Sequence, residues 1–266
     1  MVKVYSNGNE FINDNEEIFA KDRYLSCFFK LDAPLLTETN NINYAVKVSN
    51  GDKNLLAMKV EPYNLMFFGD CECVVEFMQF AKKGNYEIKN LLTPLDIGDT
   101  FVSFSNNILG KSYSKLIAMD LMEAKEVTEE SVTGINTLTE EDSEELFACI
   151  ENFYKDCGLP EVPVKERVLS DLSSYRVIKR DNKIASFAKF GKDLDFSARV
   201  SMVYTRPEYR GNGYARKVVN YVKNEILKTG KVATLHVDQA NPISNHIYSS
   251  LGFKKIHSTA IYVRKD

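Results

Sequence analysis

No stretch of this chain stays apolar for the roughly 18 residues that a membrane-crossing helix needs, so no membrane association is expected. The opening residues, Met1-Val2-Lys3-Val4-Tyr5-Ser6-Asn7-Gly8, lack the apolar core of a secretory leader, and the expected location is cytoplasmic. Basic residues are not in excess: 34 Lys and Arg stand against 37 Asp and Glu, a net charge of -3. Without surplus cations the chain lacks the phosphate affinity of a general nucleic-acid binder, and no nucleic-acid partner is expected. The five cysteines are odd in number and scattered, which gives no disulfide framework. Cys71 and Cys73 have no second pair and no His at ligand spacing, so no metal is expected and the thiols read as small hydrophobes.

What is present is an ordinary globular composition, 44% hydrophobic and 27% charged, which excludes a mostly disordered chain. The 266 residues suffice for one large domain or two of about 130. From Glu129 to Glu151 there are eight acids and no Lys or Arg. Ser131-Val132-Thr133-Gly134-Ile135-Asn136 within that stretch reads as a linker, ahead of Thr139-Glu140-Glu141-Asp142, a helix start with acids at the positive end of the dipole. The expected division is therefore 1–130 and 131–266.

In the second half the periodicity predicts helices at 140–157 and 164–174, then strands at 175–181, 183–190 and 199–205. A helix at 214–228 follows, with Ala215, Val218, Val222 and Ile226 on one stripe, then a strand at 231–237, a helix at 242–251 and a strand at 253–263. The first half gives a similar order: a helix over 15–30, a hairpin at 44–48 and 55–60, a strand at 65–68, a helix at 70–82, a strand at 86–91, a helix at 95–109 and a strand at 113–122.

The chemistry concentrates at Arg210-Gly211-Asn212-Gly213-Tyr214-Ala215, between a strand and a helix. Gly211 and Gly213 allow a sharp turn and leave consecutive N–H groups uncovered, at the positive end of the helix that follows. From Arg199 to Lys231 there are eight Lys or Arg and two acids, a basic island in an acidic chain that suits a pyrophosphate. The third glycine of a dinucleotide fingerprint is missing. One strand downstream lies Asn241-Pro242-Ile243-Ser244-Asn245-His246-Ile247-Tyr248-Ser249-Ser250-Leu251-Gly252-Phe253. Together with Val203-Tyr204-Thr205-Arg206-Pro207-Glu208-Tyr209, these segments resemble the GNAT superfamily of N-acetyltransferases over about residues 139–263. The order of elements in the first half resembles the degenerate N-terminal repeat of tandem GNAT proteins, although Phe68-Gly69-Asp70-Cys71 has one glycine and an acid where phosphates would sit.

The resemblance implies an α/β architecture (an α+β mixed sheet) of two tandem GNAT-like domains, each a mostly antiparallel central sheet flanked by helices, with the second catalytic. It implies acetyl-CoA as co-substrate, held through Arg210, Gly211, Asn212, Gly213, Tyr214, Ala215 and Arg216, with Lys217 nearby. A bulge near Tyr204-Thr205 would splay the strand from its neighbour, pantetheine would bond to the main chain of Val203 and Thr205, and Asn241 and Asn245 would contact its amides. Tyr248 matches the position whose hydroxyl protonates the departing thiolate. The general base is not visible; Glu208, His236 and Asp238 are the nearby candidates. The implied reaction passes an acetyl or short acyl group to a primary amine of a small molecule or amino acid, by a monomer or homodimer. The alternative is a non-catalytic acyl-CoA sensor. The tRNA-dependent peptidoglycan-bridge enzymes pair two such folds but lack this loop.

Overall fold

The chain, seen in a computed structural model that describes residues 1–129, 133–158, 164–193 and 196–265, begins with a short strand, β1 (Val2–Val4). Three short helices follow, α1 (Gly8–Asp14), α2 (Glu16–Phe19) and α3 (Cys27–Asp32), in place of the single helix expected over 15–30. The break has a local cause. Asp22 Oδ1 accepts the backbone N–H of Tyr24 and of Leu25 at 2.9 and 3.0 Å, a turn that competes with helix continuation. The hairpin forms as expected, β2 (Tyr44–Asn50) and β3 (Lys53–Lys59), with Gly51 at φ +61° between them.

β4 (Leu65–Gly69), α4 (Val74–Lys83), β5 (Asn90–Pro94), α5 (Leu95–Leu109) and β6 (Tyr113–Ala124) come next. The strand expected at 86–91 lies at 90–94, and a single turn at 71–73 precedes α4. α5 carries Asp96 in its first turn and ends where Gly110 turns left-handed, its N–H closing on the Asn106 carbonyl at 3.0 Å.

α6 (Ser143–Asp156) starts behind a reciprocal cap between Thr139 and Asp142. α7 (Lys165–Leu169) is shorter than the helix expected over 164–174, with a separate turn at Leu172–Ser174. The remaining elements are β7 (Tyr175–Arg180), β8 (Lys183–Asp193), β9 (Ser197–Thr205), α8 (Tyr214–Lys228), β10 (Val232–Asp238), α9 (Pro242–Ser250) and β11 (Lys254–Arg264).

Two compact units divide the chain: Met1–Asp120 with His257–Asp266, and Leu121–Ile256. The boundary expected at 130 and 131 falls on positions outside the described residues, and the last ten residues join the first unit. Within the first unit the strands run in the order β1-β2-β3-β4-β5-β11-β6. β4 and β5 are parallel and pair at only two positions, Leu65 with Leu91 and Met66 with Leu92; the β1–β2, β2–β3, β3–β4 and β5–β11 pairs are antiparallel. One face buries Phe67, Phe77, Phe101 and Tyr262, the other Phe11, Phe19, Phe29 and Phe68.

In the second unit β10-β9-β8-β7 are neighbours, with β9 parallel to β10 and antiparallel to β8. Alternation puts Ala188 and Phe187 on opposite faces. Ala188, Ala198, Val200 and Ala233 pack under Val218, Val219, Val222 and Ile226 of α8. Phe187, Val177 and Tyr204 pack under Leu146, Cys149 and Ile150 of α6. Each of these fully buried aliphatic side chains is worth about 1.5–3 kcal/mol relative to exposure, so the two helices are held by packing on both sides of one sheet.

Candidate active site

The site begins where β9 leaves β10. The two strands pair only at Val232 with Ser197, Ala233 with Ala198 and Thr234 with Arg199. Beyond Arg199 the edge of β9 that faced β10 is free of it. On its other edge β9 carries one residue more than β8: Phe187 pairs with Tyr204 but Lys189 with Ser201. The extra residue is accommodated at Met202, whose φ of +50° is the left-handed region that an L side chain rarely adopts. The bulge expected near Tyr204-Thr205 is thus two to three residues earlier. No Gly or Asn marks it, so the sequence carries no signal for it.

The bulge and the ladder together set the direction of the main chain. Arg206 N–H donates to Ala185 O at 3.0 Å, so Arg206 and Ala185 are a bonded pair. Main-chain groups alternate sides in an antiparallel ladder, which turns those of Thr205 away from β8 and toward the parted edge. Thr205 O is taken there by Arg210 Nε at 3.0 Å. The other end of the Arg210 guanidinium holds Asp156 Oδ2 at 2.6 Å, tying the end of α6 to the start of the loop. Tyr204 points the opposite way into the core, its ring 5.9 Å from that of Phe187 and 6.4 Å from that of Phe153, and burial raises its hydroxyl pKa.

Gly211 and Gly213 have φ of +81° and +72°, and a Cβ built on either would meet nothing within 4 Å. Conformation, not crowding, requires glycine at both positions, and the backbone they expose faces open space. Gly213 is the residue before α8, and Lys217 N–H is bonded to its carbonyl at 3.1 Å. Among the described residues no backbone carbonyl accepts from the N–H groups of Gly211 through Ala215. The Asn212 side chain bends back to Tyr209 O and Arg210 O at 3.1 and 3.2 Å, which fixes the turn. Tyr214 is held by Arg180, whose Nε donates to its hydroxyl at 2.9 Å and whose guanidinium lies 4.8 Å from the ring centre. Arg216 and Lys217 extend from the first turn of α8.

At the far end of β10, Asn241 caps α9, its Oδ1 accepting Ser244 N–H at 3.0 Å, with Pro242 at the first helical position. Asn245 Nδ2 donates to Asp238 O and Asn241 O at 2.9 and 2.8 Å. Both side chains are therefore engaged in the turn from β10 to α9. Tyr248 is 7% exposed, packs 6.1 Å from Phe253, and its hydroxyl has the Ser244 side chain as partner. Burial pushes its pKa up to about 12, with a smaller contribution from the Cys157 thiol. Desolvation raises the Cys157 thiol pKa, the Asp156 and Asp238 carboxylates add to the rise, and Arg210 opposes it. Asp238 spends one carboxylate oxygen on Ala240 N–H at 2.9 Å. His236 has its pKa pushed down to about 3, by burial first and by Arg199 second, so it stays neutral.

The second unit therefore offers a parted pair of parallel strands, a bulge, an open run of amides at a helix N-terminus and a buried tyrosine one element on. A similar fold is known from solved structures. A GCN5-related N-acetyltransferase from Sphaerobacter thermophilus superposes with a TM-score of 0.68 at 13% identity, over 99% of this chain and 95% of that one. A GNAT-family acetyltransferase from Colwellia psychrerythraea gives 0.63 at 11% identity, over 99% of both chains. A tandem GNAT protein from the clavulanic acid biosynthesis pathway gives 0.50 at 11% identity, over 98% of both. The fold is that of the GNAT acetyltransferases. One step finer, residues 192–263, from the end of β8 through α9 into β11, match the family described as FR47-like protein. The sequence matches no curated protein.

Proposed function

We propose that the second unit transfers an acetyl or other short acyl group from acetyl-CoA to a primary amine of a small molecule or amino acid. The observation that carries this reading is the open amide run from Gly211 to Ala215 beside the parted edge of β9, a pairing that suits an anion on one side and an extended amide-bearing arm on the other. The residues fit the group: nothing fills the space over either glycine, and the main chain of Thr205 and Val203 faces the gap.

When bound, acetyl-CoA supplies the activated thioester. The amides of Gly211 through Ala215 bind pyrophosphate, supported by Arg216 and Lys217. Val203 and Thr205 offer main-chain bonds to the arm, with the Thr205 N–H as the free partner because its carbonyl is engaged by Arg210. A main-chain N–H at the Met202–Val203 bulge holds the oxyanion, a donor worth about 3–4 kcal/mol in such sites. Tyr248 carries the proton for the leaving sulfur. With its pKa near 12 against about 8.5 for a thiol, and 1.36 kcal/mol per unit, complete transfer is uphill by about 5 kcal/mol, so the hydroxyl acts mainly by donating a hydrogen bond. Tyr204, Asn241 and Asn245 act behind this surface: Tyr204 fixes the strand by its core packing, and the two asparagines shape the turn that presents α9. A neutral His236 near pKa 3 is too weak to serve as the base, and the amine loses its proton to solvent.

The test is thiol release from acetyl-CoA by the full chain against a panel of small amines and amino acids, with CoA affinity measured in parallel by calorimetry. Gly211→Asp places a carboxylate against the proposed pyrophosphate, and CoA affinity is expected to fall at least ten-fold. Unchanged affinity removes the loop from the site. Tight CoA binding with no thiol release on any amine would establish the sensor instead.

A further inference from the structure

The first unit also has parallel neighbours that part early, and a cavity of about 530 Å³ opens there. The end of β4 contributes Phe68 and Asp70, the junction of β5 and α5 contributes Leu95 and Asp96, the segment after α2 contributes Lys21, and β11 contributes His257. The volume is that of a small-molecule site.

The lining excludes a phosphate ligand. Gly69 has φ +122°, but a Cβ there would lie 2.1 Å from Asn54 O, so this glycine answers a close backbone contact and exposes no amide run. Asp70 Oδ2 accepts Asn54 N–H at 2.8 Å and its Oδ1 pairs with Lys53 Nζ at 3.4 Å, fixing a carboxylate whose charge is already partnered at the position where the second unit has its open turn. Asp96 adds a second carboxylate, and among the described residues it has no ion-pair partner. Lys21, on the other hand, brings a cation that likewise has no ion-pair partner among them. His257 is oriented by Asp22, Nε2 to Oδ2 2.7 Å. The rest of the wall is mixed: Ile18, Leu25, Phe68 and Leu95 give it an apolar part, and Asn54 and Ser258 a polar one.

We infer that this cavity binds a small zwitterion, an α-amino acid with an apolar side chain. Its ammonium pairs with Asp96 beside Asp70, its carboxylate with Lys21, and its side chain lies against Phe68 and Leu95. Opposite charges on one cavity wall select a molecule that carries both charges, and each unpaired charge of the wall disfavours a ligand with only one. This inference stands apart from acyl transfer in the second unit.

The experiment is calorimetry on the full chain with the natural apolar L-amino acids as probes, each compared with its decarboxylated amine and its deaminated acid. At least one amino acid is expected to bind, with the matching amine and acid at least ten-fold weaker. Asp96→Asn and Lys21→Gln, both at exposed positions, should each weaken binding at least ten-fold without moving the thermal midpoint. Gly211→Asp separates this site from the one in the second unit, because it should lower CoA affinity alone. The inference is overturned if no amino acid binds, if an amine binds as tightly as its parent amino acid, or if Asp96→Asn and Lys21→Gln leave binding unchanged.

Discussion

At the scale of the residue, the site works by environments that shift ordinary side chains. Tyr248 is neutral at any working pH because burial holds its pKa near 12, and in the role proposed for it the same burial would make it a reluctant acid. General acids contribute about 10²–10⁴-fold, and a reluctant one belongs at the low end. Tyr248→Phe is expected to lower the rate of thiol release about 100-fold with CoA affinity unchanged, measured as kcat and Kd on the same preparation. His236 is shifted the other way. The unfolded chain takes up a proton near pH 6.5, the folded chain only near 3, so the stabilising contribution is whole above 6.5 and is lost as the pH falls toward 3. Urea midpoints at pH 7 and pH 4 should therefore fall further for the wild type than for His236→Gln. An equal fall in both would show that His236 is not the buried neutral group described above.

At the scale of the element, glycine does opposite work in the two units. At Gly211 and Gly213 it permits a conformation that leaves backbone open, whereas at Gly98, inside α5, it leaves room for a ring. A Cβ on Gly98 would lie 2.1 Å from the Tyr262 ring, which is fully buried and hydrogen-bonded to Asp99 at 2.7 Å. Alanine gains about 1 kcal/mol over glycine in a helix interior. Overpacking costs about 1–3 kcal/mol, and a ring held at both ends cannot yield cheaply. Gly98→Ala should therefore lower the stability of the first unit by up to about 2 kcal/mol, read from its urea midpoint; a raised midpoint would mean that Tyr262 moves freely.

For the whole molecule, the chain order and the compact units do not coincide. The ten residues from His257 onward belong with Met1–Asp120, and they bring Ala260 and Tyr262, both 0% exposed, into the core of Phe67, Phe77 and Phe101. Losing one large buried aromatic costs about 3–5 kcal/mol, and losing the strand costs more than that, against a typical domain stability of about 5–15 kcal/mol. A chain ended at Ile256 should lose cooperative unfolding of the first unit, seen in near-ultraviolet circular dichroism and urea titration. Retained cooperativity would show that β11 is dispensable.

The periodicity of α5, α8 and α9, the hairpin at Gly51 and the glycine turn at 211–213 are local, and local patterns alone determine them. The proposed phosphate end of the candidate site is legible for the same reason: a loop and a helix N-terminus are contiguous in sequence. Three things required the tertiary structure. The bulge at Met202 depends on pairing with β8, and no residue type announces it. The break of the expected 15–30 helix rests on one Asp22 turn, whose strength relative to helix propensity is set by packing around it. The commitment of Asn241 and Asn245 to their turn, the shifts of Tyr248 and His236, the Arg210–Asp156 tie and the first unit's cavity all depend on groups far apart in sequence meeting in a low-dielectric interior. That distance is settled by folding, not by spacing along the chain.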